Sequence, residues 1–540
     1  MPNVVYISEI LSVICQYADN PTLAIMARSS RVLHEPAIEV LWTILTELTP
    51  LMTLFPGDAW NLVDVGVEML LFCFTRPLVP NDWTRFLKYS ALVRVLDRHS
   101  PEHHALRYRR SIALPVDVWD VIYKHRPTGF LFPNLRVLNW CSLKLPTKSL
   151  SSFILSAGTR IEEINIEELS LTNDARSEGP LEAIARVIIE QLPHLRVLAL
   201  PRRSHNRTMR VPISHAIASL ARALDSIVSF DCSTTPLLES ALIALAQSKT
   251  LRKLALWLSD DADWPHLATL SASNRLFPCL QSLTLTATGG ACIALSEAAQ
   301  FPAVRDIRIE HIGDLNPTFS MLPTSIRRQF CPSTLTTVCV TFSGRIAYTN
   351  TTEVGAASLR PLLDFKRMEN LTLYCPCRLT LNDVFLTDMA AAWPELRMLR
   401  LACASSLIPL HSSLPSLRVL STLAARCPRL RTLALCFDAT QWTTQEDFTK
   451  DDELGDIYGE LKDRRSASRL RTLCTGCSPI TSPDSVAPFL SRIFPGLSKV
   501  RPSGGNVNGE RHDHWRRVDS LLPVLQAAHT THVDGTEYQM

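Results

Sequence analysis

Two pairs of cysteines stand close enough to share chemistry: Cys474 and Cys477, with Thr and Gly between them, and Cys375 and Cys377, separated by one proline. The first spacing suits a redox dithiol or half of a zinc site, since two thiolates that near can close on one ion. Structural zinc takes four ligands, and no second pair sits at ligand spacing, so both pairs read as structural thiols. His103-His104, and His512 with His514, offer imidazoles in the same way; solvated surface histidines are the plainer reading. Ser503-Gly-Gly505 approaches a phosphate-cradling loop but lacks the Lys-Ser or Lys-Thr ending and the flanking strand and helix. With no metalloprotease helix motif either, the sequence predicts no metal, no cofactor and no enzymatic activity. A nucleophile and base assembled in space is the one catalytic arrangement that spacing does not address.

The elements that would position any site must come from a chain of 540 residues, beyond the size at which one compact core stops growing. Apolar residues make up 46% and charged residues 20%, enough to bury a large core and too apolar for general disorder. The 55 Lys and Arg are interspersed with 52 Asp and Glu, for a net charge of +3. The basic stretches Arg107 to Arg110 and Arg202 to Arg210 read as solvated faces, so nucleic acid is not an expected partner. The longest apolar stretch, Leu62 to Phe74, contains Asp64 and Glu68 and is too short to span a bilayer. With no secretory leader visible, the expectation is an intracellular protein, cytoplasmic or nuclear, with no membrane partner. Its 15 cysteines are then reduced thiols, and the sequons at Asn206, Asn350 and Asn370 are chance matches.

One short pattern recurs along the chain: apolar, two variable residues, apolar, one variable, apolar. Clear copies are Leu135-Arg-Val-Leu138-Asn-Trp140, Leu195-Arg-Val-Leu198-Ala-Leu200, Leu251-Arg-Lys-Leu254-Ala-Leu256 and Leu280-Gln-Ser-Leu283-Thr-Leu285. Others start at Met368, Leu396 and Leu430, with weaker ones at Ile161, Ile227, Val304, Leu335, Leu470 and Leu497. Successive starts lie 26, 34, 32, 24, 29, 24, 31, 33, 28, 34, 40 and 27 residues apart, lengths that a strand and a helix fill. Helical periodicity falls between them, as at Leu181 to Leu192, Ile213 to Leu224, Leu237 to Gln247, Leu381 to Trp393 and Val486 to Phe494. Proline precedes many strand motifs by two places, at 133, 193, 278, 302, 394, 428 and 495, where it stops the helix and sets the turn. Leu417-Arg-Val-Leu420 comes too soon after its neighbour to be a full unit and reads as part of a helix.

Over roughly Leu135 to Val500 the chain resembles the leucine-rich-repeat family. The resemblance implies an α/β fold: an irregular solenoid with a curved parallel sheet and outer helices. The family's Asn or Cys beyond the strand has no fixed place, with Cys141, Cys403 and Cys436 at differing offsets, so the turns should vary in shape. The acid-rich stretch Gln441 to Ser468 reads as a solvated excursion or, alternatively, a docking loop. His514-Trp515 to Leu525 reads as a helix capping the last repeat.

The first 45 residues follow another rule. Ile7, Ile10, Leu11 and Ile14 share one helical face, Asn20-Pro21 breaks the chain, and Leu23, Met26 and Ala27 open a second helix. Pro36 is expected to start a third, carrying Ile38, Val40, Leu41 and Trp42. The run Ile7-Ser-Glu9-Ile10-Leu11, then Leu23-Ala-Ile-Met26-Ala-Arg-Ser-Ser-Arg31-Val-Leu33, closing with Pro36 to Trp42, resembles the F-box motif at the start of many fungal F-box proteins. Ser8 stands where that family commonly has Pro, and Ser30 where it often has Cys. Asp82-Trp83-Thr-Arg85-Phe86 with Tyr89, then Phe132-Pro133-Asn-Leu135-Arg, is similar to the linker and first repeat of those proteins.

The resemblance implies a substrate-recognition subunit of a Skp/cullin/F-box ubiquitin ligase, with the head on a Skp-type adaptor and the repeats on a protein substrate. By resemblance Ile7, Ile10, Leu11, Ile14, Leu23, Met26 and Leu33 would face the adaptor or support that face; the plainer reading makes them the head's own core. Period-two alternation in the strands turns the variable positions outward. That selects Glu163, Asn165, Glu167, Lys253, Asp306 and Glu310, with Trp257, Arg308, Tyr374, Arg400 and Asp231 as candidate substrate-binding residues, the first four as anchors. The expected organisation is an F-box-like head at 1–45, a helical linker and repeat cap at 46–131, the solenoid at 132–502, and a loop, capping helix and tail at 503–540. A second reading keeps the repeats as an interaction scaffold whose head only caps the array and binds no adaptor.

Overall fold

The computed structural model describes residues 8–66, 69–96, 111–115, 118–140, 149–166, 179–200, 214–258, 264–273, 276–312, 320–342, 353–375, 378–403, 414–441, 468–502 and 509–534. They fall in two compact units, Met1–Lys253 and Leu254–Met540. His103, His104, Arg107 to Arg110, Arg202 to Arg210, Ser503 to Gly505 and the acid-rich residues 442–467 lie outside the described residues, as do Asn206 and Asn350.

The first unit opens with three helices, α1 (Ser8–Gln16), α2 (Asn20–Ser29) and α3 (Arg31–Thr43). Asp19 caps α2 by accepting from the Thr22 N–H at 2.9 Å, and Pro21 occupies the first turn, where its missing donor costs nothing. The third helix begins five residues earlier than the proline suggested. Ser30 takes an extended conformation and its hydroxyl accepts from the Val32 N–H at 3.3 Å, so a serine cap, rather than Pro36, fixes the start. Pro36 lies inside the second turn. Cys15, Leu23, Ala27 and Ala37 form the head's interior, with Met26, Ile38, Val40 and Leu41 packed against it in part.

α3 runs straight into β1 (Ile44–Leu45), the first strand of a parallel ladder that the sequence pattern places only from residue 137 onward. The intervening segment, expected to be helical, also holds β2 (Trp60–Asp64), β3 (Met69–Phe74), β4 (Val95–Leu96) and β5 (Ser111–Ala113). The apolar stretch Leu62 to Phe74 is thus largely an antiparallel hairpin, with β5 parallel on β3. Too few residues precede a turn in β1 and β4 to show any period, and this is why they escape the motif. Phe55, Trp83 and Phe86 pack among themselves with centroids 5.1 to 5.4 Å apart, and Phe86 meets Phe132 at 6.1 Å, which ties the linker to the first clear repeat.

From there β6 (Val137–Asn139), β7 (Glu163–Asn165), β8 (Val197–Ala199) and β9 (Ser229–Pro236) extend the ladder beyond β1 and β4, each parallel to the last. In the second unit the order is β10 (Lys253–Trp257), β11 (Ser282–Ala287), β12 (Asp306–His311), β13 (Thr337–Phe342), β15 (Asn370–Cys375), β17 (Met398–Cys403), β18 (Thr432–Leu435), β19 (Thr472–Gly476) and β20 (Lys499–Pro502). A separate parallel pair is made by β14 (Glu353–Gly355) and β16 (Arg378–Thr380). Every one of the thirteen motif starts lies two residues before a strand. The reason is visible in β11 and β12: Leu283, Leu285, Ile307 and Ile309 are buried while Ser282, Thr284, Asp306 and Arg308 are not. Helices Gly179–Gln191, Ser214–Ala223, Glu239–Gln247, Asp383–Ala392 and Pro483–Ile493 occur where the periodicity put them, and Val419–Arg426 confirms the helical reading after Leu417. This is the leucine-rich-repeat α/β architecture.

The prolines act as turn residues. The N–H of Leu135 bonds Phe132 O at 3.1 Å, with Pro133 second in the four-residue turn; Leu195, Leu280, Leu396, Leu430 and Leu497 repeat that bond. The residue ahead of each proline is a large buried anchor in most repeats, such as Phe132, Phe277, Phe301, Trp393 and Phe494. Rings of Phe277, Phe301 and Phe330 follow one another at 5.0 and 5.5 Å.

Candidate protein-binding surfaces

The head is small, and its apolar residues split between two uses. Leu11 and Leu23 are buried, at 2% and 1% exposure, and hold the helices together, so any part they take in a partner surface is to support its seat. Ile10, Met26 and Leu33 are half-buried. Ile14 is 50% exposed and is joined outside by Val13, Tyr17, Ile25 and Val32, apolar or aromatic groups the sequence reading did not single out. They were hidden because α1 turns Leu11 and Cys15 inward, so Ile14 leaves the face it appeared to share. Ile7 lies outside the described residues.

The open face of the sheet carries the variable strand positions. In the second unit these form rows that cross the strands in register. One row runs Thr284, Arg308, Cys339, Thr372, Arg400, Ala434, Cys474, Arg501. Adjacent strands lie about 4.8 Å apart, so Arg308 and Arg400, three strands apart, stand roughly 14 Å from each other at the backbone. Between them sits Cys339, whose thiol is pushed up by burial, against the opposing pull of Arg308 and Arg400. A neighbouring row contains Thr286, Glu310, Thr341, Tyr374 and Ala402, with Tyr374 46% exposed. Arg308, Tyr374 and Arg400 thus share one face, with Tyr374 two strands from Arg308 and one from Arg400. Trp257 ends β10 half-buried. Asp231 belongs to the first unit, where its carboxylate accepts from the Ser233 N–H at 3.0 Å and its carbonyl accepts from Leu200 at 2.8 Å. Glu163 and Asn165 lie beside each other on β7, the amide donating to the carboxylate at 2.9 Å; Glu167 is outside the described residues.

One feature missed at the sequence level is the residue just ahead of each strand. Each donates its N–H to the carbonyl of its counterpart one strand back, as Glu162 to Arg136, Arg397 to Glu369, Arg431 to Arg397 and Arg471 to Arg431, at 2.7 to 2.9 Å. Their backbones thus follow one another along the sheet margin. Ion pairs Arg136–Glu162 at 3.4 Å and Arg397–Glu369 at 3.2 Å lie on this margin. The signal was in plain view as the arginine that follows the first leucine of so many copies.

Cys474 lies on the open row, whereas the Cys477 N–H donates to Cys436 Sγ at 3.4 Å across a left-handed turn at Gly476. Cys375 ends β15, and Cys377 lies outside the described residues. Among the described residues no group of three or more His, Cys, Asp or Glu is placed to hold a metal. No helix among them is long and apolar enough to cross a membrane. His514 Nδ1 approaches Ile480 O at 3.3 Å, while Trp515 Nε1 donates to Ser478 O at 2.9 Å, so this part of helix Glu510–Asp534 is docked by polar as well as apolar contacts.

No protein-family model matches the chain, and no curated protein matches it. Among solved structures the chain is similar to the crystal structure of a TLR13-ssRNA13 complex, at 12% identity and TM-score 0.32, over 85% of this chain and 69% of that one. It is also similar to the crystal structure of a TDR receptor, at 13% identity and TM-score 0.32, over 77% of this chain and 57% of that one. The likeness concerns the fold and not a ligand.

Proposed function

We infer that the chain is a recognition subunit of a Skp/cullin/F-box ubiquitin ligase, in which the head binds a Skp-type adaptor and the open sheet face holds a protein substrate. In this reading it binds and performs no chemical step. One observation carries it: a head that buries little more than Leu11, Cys15, Leu23, Ala27 and Ala37 keeps Val13, Ile14, Tyr17, Ile25 and Val32 in water. Exposed apolar side chains on so small a helical unit are what an obligate docking surface needs. The F-box resemblance of residues 5–42 names the partner class, and the repeat fold, suited to a ligand-binding scaffold, supplies the second surface.

Co-purification of the full chain with a Skp-type adaptor tests this. Ile14→Asp with Ile25→Asp should abolish association while leaving the melting temperature unchanged, because both side chains are already half or more exposed. A folded wild-type chain that captures no adaptor would remove the reading. A scaffold with a capping head is the second reading, favoured by the packing of Met26 against the head's interior. It predicts that Met26→Asp lowers stability and that no adaptor is bound.

A further inference from the structure

The last four strands of the sheet differ from the rest in charge. Residues 397–403, 431–435, 471–476 and 498–502 comprise β17 to β20 and the residue ahead of each; they contain Arg397, Arg400, Arg431, Arg471, Lys499 and Arg501 and neither Asp nor Glu. All six side chains are exposed. Arg397, Arg431 and Arg471 follow one another on consecutive strands along the margin, linked through their backbones by bonds of 2.8 and 2.9 Å. Register then places Lys499 beside Thr472 and Arg501 beside Cys474, with Arg400 on the same row as Arg501. At about 4.8 Å per strand the backbones that carry the six cations span roughly 15 Å across the sheet, a spacing comparable with the Debye length of about 8 Å.

Glu369 answers Arg397 at 3.2 Å, and among the described residues the other five have no ion-pair partner. Like charges carried on adjacent strands repel, so the arrangement favours whatever brings negative charge to it. The field is also bounded. Glu369 stands just ahead of the preceding strand, β15, and Asp306 and Glu310 lie on β12. A long polyanion crossing the sheet would meet those carboxylates; a short acidic segment would not. No aromatic side chain on these four strands offers a base-stacking platform.

We propose that β17 to β20 form the docking site for an extended acidic peptide segment of a partner protein, lying across the strands with its carboxylates on the Arg397, Arg431 and Arg471 margin and on Lys499 and Arg501. This rests on the reading of the open sheet face as the partner surface, and it supplies the chemistry that surface selects. A span of about 15 Å takes roughly five residues of extended chain at about 3.3 Å each, so a motif with two or three carboxylates fills it.

The test is fluorescence anisotropy of the full chain with a fluorescein-labelled peptide alternating Glu and Gly, against a Lys and Gly control. Wild type should bind the acidic peptide saturably, and binding should weaken on raising NaCl from about 0.05 to 0.5 M. Arg431→Glu with Arg471→Glu should weaken it about tenfold or more, whereas Arg196→Glu, an exposed arginine at the matching margin of the first unit, should not. No saturable binding, equal binding by the charge-reversed variant, or displacement of the peptide by tighter single-stranded DNA of the same charge would each overturn the proposal. Unchanged circular dichroism shows that the variant is folded. Adaptor capture by the same variant separates the two readings, since it reports the head alone.

Discussion

Individual side chains already show how local surroundings set chemistry. Cys292 and Cys427 are buried, and burial pushes both thiols up to about 12. Cys331 is half-exposed, and its thiol is lowered by hydrogen bonding to Ser333, whose Oγ lies at 3.1 Å. Brief alkylation at mildly alkaline pH, read by peptide mass mapping, should therefore mark Cys331 first and leave Cys292 and Cys427 unlabelled until the chain is unfolded. Asp82 provides a pH probe. The Arg76 guanidinium, helped by the Val79 N–H, holds its carboxyl below the usual range, so the folded state favours the ionised form. The stability it gives is complete above the ordinary carboxylate value near 4 and is lost as pH falls through the lower folded value. Thermal melting of Asp82→Asn should show lower stability at neutral pH and a shallower acid limb than wild type. Residue roles were the least legible part of the sequence. That Ile14 faces water while Cys15 does not, or that Ser30 outranks Pro36 as a helix start, depends on which neighbours a helix meets, and spacing alone does not carry that information.

Strands and turns were far easier to read, because the repeat announces its own period. A buried residue every second place, flanked by a proline turn, admits one register, and all thirteen motif copies acquired a strand in it. The strands of the long ladder that were missed, β1 and β4, span two residues each and carry no alternation to detect. Leu283 is fully buried and Thr284 beside it is partly open, so Leu283→Ala should cost about 2 to 5 kcal/mol and Thr284→Ala no more than about 0.5, measured by chemical denaturation. Gly476 is constrained differently. Its φ of +57° lies in the left-handed region, and an added Cβ would come within 2.5 Å of Cys436 Sγ. Gly476→Ala should destabilise by more than about 1 kcal/mol, which the same measurement reports. The arginine margin was present as residues and invisible as a surface, since only pairing of distant strands brings Arg397, Arg431 and Arg471 together.

At the scale of the whole chain, the repeated unit was legible and the organisation around it only partly so. The linker mixes helix with a small sheet where helix alone was expected, and the polypeptide divides into two compact units near Lys253, a boundary that no change in composition announces. The C-terminal helix Glu510–Asp534 packs beside the last strand and buries Trp515, Val518 and Leu522 at helical spacing. Deleting residues 510–540 should leave those apolar neighbours in water and move the chain to the void volume in size-exclusion chromatography.

That helix also does something quieter. Asp519 Oδ1 accepts from the Val500 N–H at 2.6 Å, an amide on the outer side of the final strand that would otherwise await another backbone. With Pro502 closing the strand and Lys499 and Arg501 on it, the terminus is chemically sealed against templating. A protein made by repeating one motif must also know where to stop, and here a single carboxylate supplies the full stop, denying a second molecule the chance to continue the count.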